Sequence, residues 1–259
     1  MERQAQAGNA AAPLAPLLAR IAAALERLAP PEPAPVDWDA HPAYLWDGHR
    51  ACPVARIDAP ELALLRGIAH QKAAVTANVG RLASGLPAHD MLLWGARGMG
   101  KSALVRAAVA AAQASGQQLR LVQVRGGGGA LGALWPALHA AGGNTLVYID
   151  DLGFDDTEGE GLRALRSWLD GSVEPRPARV RLAVTANRRA IVPRTAAEQA
   201  DPLNPRDAID DALALADRFG LTLGFHAASQ EDYLAIVGGY AAHHGLAFDP
   251  GEALEWAMR

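Results

Sequence analysis

Apolar residues recur at helical spacing over residues 13–29, where Leu14, Leu17, Leu18, Ile21, Leu25 and Leu28 form one stripe and Arg20, Glu26 and Arg27 lie off it. This pattern predicts an amphipathic helix that either packs on the chain's own core or docks on a partner. Residues 29–35, APPEPAP, then predict a stiff, extended linker, and 36–57 place Trp38, Tyr44 and Trp46 among turn residues, as in an irregular segment covering a core. From residue 60, Leu62, Leu65, Ile68, Val75 and Leu82 mark a helical run that ends at the turn Gly85-Leu86-Pro87.

Beyond that turn the periodicity alternates. Short apolar strands are expected at 91–94, 119–124, 145–149, 180–185 and 221–225, and helices at 103–108, 131–140, 160–170 and 208–217. Ser229 with Asp232 resembles a capping box opening a helix to about residue 244, and Asp249-Pro250 opens another. That last helix reaches Arg259 with no capping glycine, so the chain is expected to stop inside an element. Strand–helix alternation favours an α/β fold with a parallel sheet covered on both faces. Four regions follow: 1–35, helix and linker; 36–59, irregular; 60–226, the main core; and 227–259, a partial helical domain.

Composition narrows the picture. A chain of 259 residues, half of them apolar, can bury one sizeable core. The net charge of −4 supplies no global field for nucleic acid. Arg176, Arg179, Arg181, Arg188, Arg189 and Arg194 make a local basic cluster, read either as solvated arginines around a loop or as a polyanion site. The single cysteine, Cys52, excludes an internal disulfide and suits a reducing cytoplasm; no Cys/His spacing resembles a metal site. His243 and His244 would point apart on a helix and are expected at the surface. No apolar window of 18 residues exists, so neither membrane insertion nor secretion is expected.

The candidate chemistry centres on Gly95-Ala96-Arg97-Gly98-Met99-Gly100-Lys101-Ser102, which fits G-x-x-x-x-G-K-[ST]. Its glycines let backbone N–H groups turn toward phosphate oxygens, and the following helix presents its positive end to the same anion. Lysine is otherwise scarce, since Lys72 and Lys101 are the only two among 24 basic residues. A bound triphosphate such as ATP needs Mg²⁺, and this hard cation wants a carboxylate at the end of a neighbouring strand, joined by the Ser102 hydroxyl. The run LVYIDD ends in Asp150, placed to orient the metal, and Asp151, placed to polarise an attacking water. Asn187, after the fourth strand, could hydrogen-bond both γ-phosphate and water if that strand lies between the other two. On spacing alone Arg218 is read either as a helix-terminal cation before the cap Gly220 or as a functional group.

LLWGARGMGKSALVRA, LVYIDDL, VTANRR and ADRFGL, in this order and spacing, resemble AAA+ ATPases, and more closely the uncharacterised bacterial AAA+ family classed as a domain of unknown function. The likeness covers roughly residues 60–259. It implies a five-stranded parallel sheet of order 5-1-4-3-2 followed by a partial helical lid. Gly95 to Ser102 would be the Walker A loop, Asp150 and Asp151 the Walker B acids, Asn187 sensor 1 and Arg218 an arginine finger. It also implies a ring or other homo-oligomer with ATP at subunit interfaces, hydrolysing it to remodel or load a partner. Where AAA+ proteins usually carry Glu, this chain has the shorter Asp151, which predicts slow turnover. Two rivals are stated beside this reading. The first is an ATP-gated switch that hydrolyses little and grips a partner protein through residues 1–57. The second is a dinucleotide-binding oxidoreductase, because Gly127-Gly128-Gly129-Ala130-Leu131-Gly132 fits G-x-G-x-x-G; it leaves Lys101, Ser102, Asn187 and Arg218 without a role.

Overall fold

The strands among the described residues form one sheet in the order β2-β1-β4-β5-β6-β3-β7. They are β1 (Ala43–Trp46), β2 (Ala51–Val54), β3 (Met91–Gly95), β4 (Arg120–Val124), β5 (Thr145–Leu152), β6 (Val180–Asn187) and β7 (Leu221–Phe225). The computed structural model describes residues 14–28, 36–125, 130–152, 165–169, 171, 176–187 and 216–257. From β3 onward every pairing is parallel. Counting those five strands in chain order and reading from β7 gives 5-1-4-3-2, the order expected from the family resemblance.

The sheet is longer than the five strands expected, because residues 36–57 are not an irregular cover. They supply an antiparallel hairpin whose inner strand, β1, runs parallel to β4. Ala43, Tyr44 and Trp46 are buried, and the Trp46 indole donates to the Ala130 carbonyl at 2.8 Å. Asp47 accepts from the amides of His49 and Arg50 and closes the turn. Pro53 is tolerated because β2 is the outermost strand, where a missing N–H breaks no inner ladder.

One face of the sheet carries α2 (Ala69–Ala83) and α3 (Lys101–Ala114). Val75, Val79 and Leu82 from α2 and Leu104, Val105 and Ala108 from α3 share a core with Met91, Leu93, Leu121, Leu146 and Phe225 of the strands. Residues alternating with these along the strands, Leu92, Val122, Val147, Leu182 and Val184, are as fully buried, so the second face is covered too. The long helix expected from residue 60 is broken: a 3-10 turn at Leu62–Leu64 is followed by Gly67, whose φ of 74° halts it before α2 begins. α4 (Leu131–Ala141) buries Leu131, Leu134, Trp135 and Leu138. After β7 come α5 (Gln230–His243), capped as expected by the Ser229–Asp232 box, and α6 (Pro250–Ala257), whose Asp249 accepts from the Glu252 amide at 2.8 Å.

Contacts divide the chain into Met1–Val36 and Asp37–Arg259. In the first unit α1 (Leu14–Leu28) forms as the periodicity predicts, with Leu14, Leu17, Leu18, Ile21 and Leu25 exposed. The linker 29–35, most of the expected helices at 160–170 and 208–217, and Arg188, Arg189 and Arg194 lie outside the described residues. Arg176 is engaged in the fold: its two terminal nitrogens pair with the Asp90 carboxylate at 2.9 Å each, beside the start of β3. Arg181 likewise donates to the carbonyl of Ala88 at 2.6 Å. Among the described residues no helix is long and apolar enough to cross a membrane.

Candidate functional site

Gly95, the last residue of β3, pairs with Asn187 on one side and Phe225 on the other. A Cβ at Gly95 would be driven into the Phe225 carbonyl, so the strand can turn into the loop here only as glycine. Gly98 and Gly100 follow in left-handed conformations, and α3 starts at Lys101 with no side-chain cap on its first-turn amides. These amides and the positive end of the helix border a cavity of about 360 Å³. It is lined by residues 97–103 and by Asp150, Asp151, Thr185 and Asn187.

Lys101 is buried, and its ammonium donates to the carbonyls of Gly95 and Ala96 at 2.8 Å each. Burial pushes its pKa down, while the charges of Asp151 and Asp150 oppose that shift. The lysine is thus held under the loop with its charge supported by the acid pair.

The acids sit where β5 bulges between Ile149 and Leu152. Asp150 Oδ1 accepts three hydroxyls: Tyr148 at 2.5 Å, Ser102 at 2.7 Å and Thr185 at 2.7 Å. Burial alone would raise the Asp150 pKa, but these hydrogen bonds outweigh it and hold the group below its ordinary value, ionised at neutral pH. The Tyr148 phenol is shifted the other way, upward, by burial and by its bond to Asp150, and remains a donor. Asp151 has φ of 54°, and among the described residues no other non-glycine is left-handed. Its amide donates to Thr185 Oγ1 at 2.9 Å. Its carboxylate accepts from Asn187 Nδ2 at 2.7 Å through Oδ1 and from Arg97 Nη2 at 2.8 Å through Oδ2.

The structure therefore brings the loop from Gly95 to Ser102 together with Asp150, Asp151 and Asn187. Asn187 is the last residue of β6 rather than a residue beyond it, and β6 lies between β3 and β5. Arg218 is not brought to this cavity. It precedes β7, whose first residue, Leu221, pairs with Met91 at the opposite end of β3 from Gly95. Half of the glycine-rich rival site, residues 127–129, lies outside the described residues, and Leu131 and Gly132 open α4. Sequence reasoning missed Tyr148 and Thr185. Each stands two residues before a singled-out polar group, Asp150 and Asn187 respectively, and so shares its strand face.

The donor set suits Mg²⁺. Among the described residues no cluster of three or more His, Cys, Asp or Glu side chains could cage a metal. An ionised carboxylate touching a serine hydroxyl beside a phosphate-binding loop offers the few hard oxygens that Mg²⁺ combines with substrate phosphates and water.

Comparison with curated proteins returns no match. Among solved structures, the Thermotoga maritima RuvB Holliday junction branch migration motor is similar at 16% identity and a TM-score of 0.45, over 73% of this chain and 55% of that one. The Aeropyrum pernix Orc1 protein in complex with DNA is similar at 16% identity and a TM-score of 0.45, over 71% of this chain and 53% of the other. The match thus spans about half the length of either structure, and the strand order, not the superposition, assigns the fold. Residues 39–259 match the family model described as "Protein of unknown function (DUF815)". With the 5-1-4-3-2 core, the phosphate loop after its first strand and the acid pair ending its third, the chain belongs to the DUF815 family and has the fold of an AAA+ P-loop NTPase.

Proposed function

We propose that the protein binds ATP with Mg²⁺ and hydrolyses the β–γ phosphoanhydride bond at interfaces between copies of itself, using that turnover to remodel or load a partner. The observation that carries this reading is the convergence on one cavity of Lys101, the Ser102–Asp150 contact at 2.7 Å and the Asp151–Asn187 contact at 2.7 Å. Main-chain amides of the loop would cradle the phosphates, and Lys101 would neutralise the β- and γ-phosphate oxygens. Ser102 and Asp150 would hold Mg²⁺, which when bound offsets charge on those oxygens. Asp151 would take a proton from a water whose oxygen bonds to the γ-phosphorus. The bond to the bridging oxygen breaks, and its electron pair stays on ADP. Asn187 would orient that water and the γ-phosphate. Lys101→Ala should reduce ATP affinity at least a hundredfold by calorimetry, and unchanged affinity would remove the central assignment.

A second reading, a switch that binds ATP but turns it over slowly, is favoured by one observation. Both oxygens of Asp151 are already held by side-chain donors, on an acid one methylene shorter than the glutamate usual in AAA+ proteins. Affinity and turnover measured on one sample separate the two.

A further inference from the structure

The apolar stripe of α1 has no part in the nucleotide site. Leu14, Leu17, Leu18, Ile21 and Leu25 are each more than half exposed along a helix of 15 residues. An isolated helix of that length is marginal in water, and five large aliphatic side chains in one stripe are more than a monomer ordinarily leaves wet. The spacing shows what kind of surface covers it. Leu14, Leu18, Ile21, Leu25 and Leu28 step by four, three, four and three residues, the a/d repeat of a helix packed on others like itself. Leu18 and Leu25 take a, while Leu14, Ile21 and Leu28 take d.

The flanks of this seam decide the partner. In a two-stranded coiled coil the e and g positions commonly carry Glu and Lys, whose ion pairs choose partner and orientation. Here Ala15 and Ala22 stand at e, and Leu17 and Ala24 at g. No charge on the flanks selects an unlike helix or repels an identical one. Arg20, Glu26 and Arg27 fall at b and c, and Pro16 falls at f in the first turn, where its missing N–H breaks no helix bond. A face running from e through a and d to g is wider than one neighbouring helix covers, so each helix needs two. Leu at a with Ile21 at the central d position points the same way, toward three or four strands rather than two.

We propose that α1 is an assembly helix: three or more copies of this chain bring their α1 helices together in one parallel bundle, with Leu18, Ile21 and Leu25 in its seam. Copies related by a cyclic axis present their helices in parallel, so the bundle closes without a second kind of contact. The inference goes beyond the ATPase reading and stands apart from it, because the bundle needs no nucleotide.

The test uses the full chain without nucleotide, in a Lys101→Ala background so that no carried-over ATP bridges copies. Sedimentation equilibrium over a wide range of concentration reads the mass, and this parent should sediment as three or more copies. Leu18→Asp with Ile21→Asp, which puts carboxylates into the seam of every copy, should lower the mass at least about threefold, to a single chain. Ala19→Asp with Ala23→Asp, at the outward b and f positions, takes at least as much helix propensity from α1 and should leave the mass unchanged. A parent of only two copies overturns the bundle. An unchanged mass in the seam variant overturns it as well, and so does an outward variant that dissociates like the inward one. A monomeric parent also overturns it, and amide exchange over residues 14–28 then tells what takes the stripe. Protection there places it on the chain's own core, and free exchange leaves it for a different protein. A wild-type chain that assembles through the seam but binds no ATP sinks the ATPase reading and leaves the bundle standing.

Discussion

A single hydroxyl ties the two acids together. Thr185 Oγ1 donates to Asp150 Oδ1 at 2.7 Å and accepts the Asp151 amide at 2.9 Å, and the residue is buried. One O–H can do both because a hydroxyl carries a donor and lone pairs at once. Valine has the same shape and neither capacity. Thr185→Val should therefore leave the Asp151 amide without a partner and cost about 1–3 kcal/mol of stability, read as a shift in the urea midpoint. It should also lower ATP turnover about tenfold or more while analogue binding holds, because the change falls on the orientation of the acids and not on the phosphate cradle. Thr185→Ser, which keeps the hydroxyl, should recover most of both. Equal turnover in the valine variant would show that the Asp151 backbone conformation needs no such tether. Legibility at this scale was uneven. The glycines, Lys101 and Ser102 could be read from one fixed spacing, both aspartates from the apolar run that they end, and Asn187 from its place after the fourth strand together with the family resemblance. Thr185 and Tyr148 could not, since their importance depends on which strand lies beside which.

Elements followed the same rule. β3 to β6 were legible as mostly apolar runs, as strands covered on both faces must be, and β7 as a short alternation that buries Leu223 and Phe225. β1 and β2 were not: they are four residues each, one contains Pro53, and β1 is placed between β2 and β4 by its two ladders and by the burial of Tyr44 and Trp46. The Asp47-Gly48 pair was a usable turn signal that the aromatic residues around it obscured. α5 was legible from its first turn alone. Ser229 and Asp232 exchange side-chain and backbone hydrogen bonds there, and those bonds hold the Asp232 carboxyl below the ordinary value of 3.8. A folded pKa lower than the unfolded one means that the contribution is present above the ordinary carboxylate range and lost as pH falls through the lower folded value. Ser229→Ala should cost about 1 kcal/mol at neutral pH. The difference between variant and wild type in amide-exchange protection over residues 230–243 should shrink on acidification below that range. A difference that stays constant with pH would remove Asp232 from the cap.

At the scale of the whole molecule, the position of Arg218 decides how many chains make one working site. It stands three residues before Leu221, and Leu221 is level with Met91, while the phosphate loop begins at Gly95. The five residues of β3 separate them by about 13 Å of strand before any side chain is counted. Arg218 cannot serve the cavity of its own chain across that distance. If it stabilises charge at a γ-phosphate, that phosphate belongs to a neighbour, and each site is built from two copies related head to tail. Mixing distinguishes this from every single-chain scheme. Lys101→Ala subunits would carry Arg218 but hold no ATP; Arg218→Ala subunits would hold ATP but offer nothing to the next chain. Each preparation alone should turn over ATP poorly. In an equal mixture half the chains keep an intact loop and about half of those face an intact Arg218, so recovery should approach roughly a quarter of the wild-type rate. Sedimentation should show the assemblies unchanged, which keeps the effect on chemistry rather than on association. If the mixture stays as slow as its components, or if Arg218→Ala alone matches wild type in an assembled sample, the site is complete within one chain and Arg218 has no part in the reaction.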